Sequence, residues 1–173
     1  MKNFYFNKLF IFFILISLNT NAQTPFWSND FSNSSDWTMV DLLNGGLQNW
    51  VITTNAPQGY FSMQMGSISS TTATNGFALY DSDFLNAGYT PQQATLTYNG
   101  IVDCSQYQYV NINFECYHRV FRDSVFVEIS LDNFQTVAGR YRFHEEITIN
   151  NSSPNPDFVS IDISSSAGNQ SNV

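Results

Sequence analysis

Lysine is nearly absent from this 173-residue sequence, cysteine occurs only twice, and no segment after residue 22 is apolar enough to span a bilayer. Both lysines, Lys2 and Lys8, lie ahead of the apolar block "LFIFFILISL" (Leu9 to Leu18), which polar "NTNAQ" follows. A basic start, a short apolar block and a small residue before the break mark a secretory signal peptide. We expect cleavage after Ala22, so residues 1–22 are read as signal and 23–173 as a single domain. No cysteine follows the block, which argues against a lipoprotein anchor. The remainder keeps four arginines (Arg119, Arg122, Arg140 and Arg142) against 14 acids, a formal charge of −10. A lysine-free, acidic chain repels phosphate backbones, so nucleic acid is not an expected partner. Membrane insertion after signal cleavage is not expected either. The acids are dispersed rather than gathered into a tail, and aromatics make up 16% of the chain, which argues against disorder.

The two cysteines leave a choice. An exported protein can pair Cys104 with Cys116. However, Cys116 lies in an extended segment that starts soon after Cys104, and an extended strand carries its ends apart. The alternatives are a buried unpaired Cys116 beside a free Cys104, or a turn at "SQY" that folds Cys104 back to form a bridge.

Helical periodicity is missing too. Serine, threonine, asparagine and glycine interrupt the chain about every ten residues, and β-branched and aromatic residues fill the intervals. That pattern predicts an all-β fold, a sandwich or a barrel. "DWTMVDLL" (36–43) and "QNWVITT" (48–54) read as a first hairpin around "NGG". "APQGYFSMQMGSISSTTATNG" (56–76) reads as an irregular crossing. "FALYDSD" (77–83) and "QATLTYNGIVD" (93–103) are the next strands, joined across "NAGYTP". "YVNINFECYHRVF" (109–121) alternates most clearly, with Val110, Ile112, Phe114 and Cys116 on one face and Tyr109, Asn111, Asn113, Glu115, Tyr117 and Arg119 on the other. "SVFVEISL" (124–131) repeats the alternation, a turn at "DN" follows, and "AGRYRFHEEITI" (138–149) is the return strand. "NNSSPNPD" is a loop and "FVSIDIS" (158–164) the last strand. The chain ends in "SSSAGNQSNV", where a loop has begun to feed a strand. We therefore expect Val173 to mark a truncation, with an unpaired sheet edge as its consequence.

Four stretches, "STTATNGFALYDSDF", "IVDCSQYQYVNINFECYHRVF", "SVFVEISLDNF" and "SSPNPDFVSIDISSSAGNQSNV", together resemble a MAM-like jelly-roll domain found in secreted and surface proteins of bacteria that use type IX secretion. The resemblance covers most of residues 26–173, and "NGFALYDSD" and "ISSSAGNQ" carry most of its weight. It implies a non-catalytic, two-sheet antiparallel jelly-roll-like sandwich lacking its last strands, used for adhesion or ligand binding at the outer cell surface. The family's following arginine- and aromatic-rich strand, its acidic strand and any sorting domain are absent here, which also implies truncation.

Two candidate sites emerge. Asp81 and Asp83, at alternate positions, are expected to share one side of a strand, where two carboxylates repel unless a proton or cation lies between them. Calcium takes such oxygen ligands, Asp30 is a third candidate, and domains similar to this one often hold structural calcium near a strand end. The competing reading is a solvated strand end with Asp81 bonding backbone amides. No "DxDxDG" loop is present. The second site is the outward face of Tyr109, Asn113, Glu115, Tyr117 and Arg119, with Phe126 and Glu128 beside it. Tyrosine rings stack on sugar faces while Asn, Glu and Arg bond hydroxyls. Its competitor is a solvated sheet with cross-strand pairs such as Glu128 with Arg142 or Arg140.

Other constellations are weaker. Asp81 and Asp83 lack the opposed placement of glycosidase carboxylates, and Glu145 and Glu146 point opposite ways if extended. His118 and His144 have no zinc spacing with the cysteines, and Cys116 with His118 reads as core and strand rather than nucleophile and base. "SLDNFQT" (130–136) partly matches an Asp-box turn, with Asp132 bonding turn amides. The expected function is a secreted or cell-surface binding or adhesion module from a larger exported protein, not an enzyme. The alternative is a carbohydrate-binding module attached to a degradative enzyme. The expected partners are an extracellular glycan or protein ligand and the missing C-terminal domains of the parent protein.

Overall fold

The computed structural model describes residues 25–85 and 91–173. The expected signal peptide and most of the "NAGYTP" joint lie outside them. Among the described residues the fold is all-β: eight short strands, one 3₁₀ turn (Ser34–Asp36) and two single-turn helices, α1 (Ser82–Leu85) and α2 (Ser164–Ala167). The strands are β1 (Trp37–Asp41), β2 (Val51–Thr53), β3 (Phe77–Leu79), β4 (Ala94–Tyr98), β5 (Asn111–Cys116), β6 (Val125–Ile129), β7 (Gly139–Phe143) and β8 (Asp157–Asp162). No helix among them is long and apolar enough to cross a membrane.

Pairing is nested twice. β1 pairs β4 around β2–β3, and β5 pairs β8 around β6–β7, all antiparallel. The β6–β7 hairpin matches the sequence reading, and its turn is tied as expected. Asp132 accepts the Thr136 N–H at 2.9 Å and the Thr136 hydroxyl at 2.7 Å. Asn133 and Phe134 both adopt left-handed φ of 57° there.

The expected β1–β2 hairpin does not form. Asp41 instead closes residues 42–48 into a loop, accepting the N–H groups of Leu43, Asn44, Gly46 and Gln48 at 3.0–3.1 Å. Gly45 and Gly46 supply the positive φ that this loop requires, 67° and 88°. The "NGG" signal is a carboxylate-capped loop, and β1 is left free to pair with β4, placing Trp37 opposite Tyr98 with rings 5.5 Å apart. Several expected strands also end early: 77–83 at Leu79, 93–103 at Tyr98, 109–121 at Cys116 and 138–149 at Phe143. At the last of these, His144 turns to a left-handed φ of 59° and breaks the ladder.

The period-two reading of the fifth strand holds. Tyr109 is 75% exposed and Val110 only 4%. Ile112 faces Ile161 and Phe114 faces Val159 across the β5–β8 ladder. Val127 and Tyr141, opposite one another in β6–β7, join Ile112 and Ile161 in a cluster around buried Cys104, Val110, Ile129, Ile163 and Ala167. Cys104 and Cys116 are both free thiols. Cys104 is the deeply buried one, the reverse of the reading that put Cys116 in the core and left Cys104 as the spare thiol. The chain's last residues also join this cluster. Val173 exchanges both backbone hydrogen bonds with Val102, at 2.8 and 3.2 Å, and packs on the cluster.

Candidate functional site

Asp81 and Asp83 do not share a strand face. β3 ends at Leu79, and Asp83 lies in α1. The two carboxylates nonetheless converge on one object, the start of the crossing segment. Asp81 Oδ2 accepts the N–H groups of Gln58 (2.5 Å) and Gly59 (3.0 Å), and its Oδ1 accepts the Ser62 hydroxyl at 2.6 Å. Asp83 Oδ2 accepts the N–H groups of Phe61 and Ser62 at 2.5 and 3.2 Å. Burial opposes ionisation of Asp83, but these donors outweigh it and hold its carboxyl below the ordinary carboxylate range. The amides therefore already supply the positive partner that two neighbouring carboxylates require. The amides belong to a loop some 22 residues upstream rather than to the neighbouring turn.

Asp30 lies elsewhere in hydrogen-bonding terms. It accepts the Ser32 N–H and hydroxyl at 3.1 and 2.7 Å and the Asn75 amide at 2.8 Å. These three aspartates do not assemble into a calcium donor set. Among the described residues no group of three or more His, Cys, Asp or Glu gathers as a ready-made metal site.

The outward face of β5 divides into two parts. At its far end the crossing segment lies over it. Glu115 Oε2 accepts the Thr71 N–H at 2.6 Å and the Thr71 hydroxyl at 2.9 Å. Arg119 Nη1 donates to the Phe61 carbonyl at 3.0 Å. Tyr117, past the end of the strand, is half-buried. Glu115 and Arg119 thus hold the protein's own chain. At the near end the face is open. Exposed Tyr109, Asn111 and Asn113 lie beside Ser160 and Asp162 of β8. Phe158, opposite Glu115, is 67% exposed; the alternation of Val159, Ile161 and Ile163 with Ser160 and Asp162 already places it on this outer face, a signal the sequence reading did not use. Phe126 and Glu128 do not extend this surface. They sit on the β6–β7 ladder, where Arg140 bonds Glu128 at 3.1 Å and lies 4.0 Å over the Phe126 ring. Glu128 therefore takes Arg140 as its partner, and Arg142 pairs with Glu145 at 3.1 Å.

A second constellation, unseen in the sequence, lies where β5 and β7 end. The rings of His118 and His144, 26 residues apart, are nearly parallel with centroids 5.4 Å apart, and their Nδ1 atoms are separated by 3.3 Å. Each ring turns its Nε2 to a carboxylate: His118 to Asp123 at 2.6 Å and His144 to Asp157 at 3.0 Å. Burial works against ionisation of Asp123, but its bonds to His118 and to the Phe121 N–H prevail and hold it below the usual range. Cys116, opposite Asp157 in the ladder, is pushed up to about 11 by burial and by that carboxylate. Burial thus disfavours its thiolate, the form a nucleophile requires.

No family model, no curated protein and no solved structure matches this chain.

Proposed function

We propose that this protein is a secreted or cell-surface binding module without catalytic activity, part of a larger exported protein, with a jelly-roll-like strand arrangement. The observation that carries the reading is the open outer face of β5–β8, where Tyr109 and Phe158 stand in water on either side of Asn113, Ser160 and their neighbours. A sheet that leaves aromatic rings uncovered beside amide and hydroxyl groups has the composition of a recognition surface. The acidic balance of the chain disfavours a nucleic-acid ligand, and the resemblance to MAM-like domains supports adhesion at the cell surface. The nested pairing of both strand sets is compatible with a rolled sandwich. A carbohydrate-binding module is the second reading, favoured by the juxtaposition of a tyrosine ring with asparagine and serine side chains.

Arrays of immobilised glycans and of extracellular proteins, probed with wild type and the double variant Tyr109→Ala/Phe158→Ala, test both readings. Glycan binding lost in the double variant supports the carbohydrate module, and protein binding lost in it supports adhesion. Binding unchanged by the substitutions, or no binding on either array, overturns the assignment of this face. Hydrolysis of any arrayed ligand overturns the non-catalytic reading.

A further inference from the structure

We propose that His118 and His144 form a binding site for a divalent transition-metal ion of the zinc class, coordinated by the two Nδ1 atoms. The argument begins with protons. A carboxylate only accepts hydrogen bonds, so the contacts of Nε2 with Asp123 and Asp157 place a hydrogen on Nε2 of each ring. When both rings are neutral, each therefore turns a bare Nδ1 toward the other across 3.3 Å. Two lone pairs at that separation repel unless a proton or a metal ion lies between them. Two zinc–nitrogen bonds of about 2.05 Å at a tetrahedral angle set their nitrogens about 3.3 Å apart. The gap therefore already has the span of two imidazoles on one ion.

The surroundings agree with this chemistry. A ligating histidine commonly gives its other N–H to a carboxylate, which fixes the ring and raises its basicity, and here both rings are held that way. Asp123 and Asp157 balance the two charges of the ion, and neutral imidazole suits zinc, copper and nickel rather than calcium. The side chain of His144 is 4% exposed, that of His118 12% and that of Asp123 43%, so the gap lies just beneath the surface, within reach of an entering ion. With two protein ligands, the remaining positions fall to water. The site does not depend on the ligand face proposed above.

The test is zinc chloride added to the purified protein, read by calorimetry and by ¹⁵N-detected imidazole resonances at neutral pH. The expected result is one zinc per chain, with both Nδ1 resonances displaced and both Nε2 hydrogens retained. His118→Gln is expected to abolish saturable binding. Asp123→Asn, which leaves both ligands in place, is expected to weaken it by about 10- to 100-fold. If His118→Gln fails to fold, the resonances of the wild type decide the matter alone. Nδ1 resonances unmoved by zinc, with a proton shared between the rings, overturn the proposal, as does stoichiometric binding that survives in folded His118→Gln.

Discussion

Asp83 illustrates how a hydrogen-bonded carboxylate ties the stability of this protein to acid. Its carboxyl stays below the usual range because the Phe61 and Ser62 amides outweigh its burial. A group whose pKa is lower folded than unfolded stabilises the fold above the unfolded value of 3.8 and loses that contribution as pH falls through the folded value. Asp30, Asp103, Asp123, Asp132 and Asp162 shift the same way, so their effects accumulate in the same acid window. Thermal melts followed by circular dichroism are expected to be flat from neutrality down to about pH 5 and to decline steeply below about pH 4. Asp83→Asn lowers the midpoint at neutral pH and makes the acid decline shallower. An acid slope identical to that of wild type removes Asp83 from this account.

At the scale of strands, the β6–β7 hairpin separates burial from exposure within one short segment. Ile129 is buried in the main cluster, whereas Phe126 lies outside under Arg140. Ile129→Ala is expected to destabilise by about 2–5 kcal/mol, since it removes methyl groups from packed surroundings. Phe126→Ala, which forfeits one exposed cation–π contact, is expected to stay below about 1 kcal/mol. Urea denaturation of the two variants checks the order, and the reverse order places the wrong face inside. This alternation was legible in the sequence because it is local: Val125, Val127 and Ile129 announce their own side of the strand. Partners are not local. "NGG" looked like a hairpin turn, but Asp41 takes the amides of that loop, a choice made by side-chain geometry that no period reveals. For the same reason the two histidines were individually unremarkable. They meet only because β5 and β7 end side by side and His144 reverses its backbone there.

For the whole molecule, the decisive element is the crossing segment, residues 56–76, which looked like mere connection. Asp81 and Asp83, after β3, hold its first turn. Glu115, from β5, and Arg119, just beyond it, hold Thr71 and Phe61. Asn155, ahead of β8, accepts the Ser69 N–H at 2.8 Å and donates to the Ser67 carbonyl at 3.0 Å. One strap without regular strand structure thus bonds to parts of both strand nests, through polar side chains rather than through a buried apolar face. Tyr60, Phe61 and Met63 within it are exposed, so little burial holds it down. A segment fixed mainly by exposed hydrogen bonds opens without unfolding the rest. The double variant Glu115→Ala/Asn155→Ala is therefore expected to be cut rapidly by chymotrypsin at Tyr60, Phe61 or Met63, while wild type is cut slowly there. The variant's urea midpoint should fall only slightly, because the cluster around Cys104 and Ile129 is untouched. Cleavage unchanged from wild type means that the strap is held by something other than these side chains. A collapse of the urea midpoint means that the two nests depend on the strap for their stability.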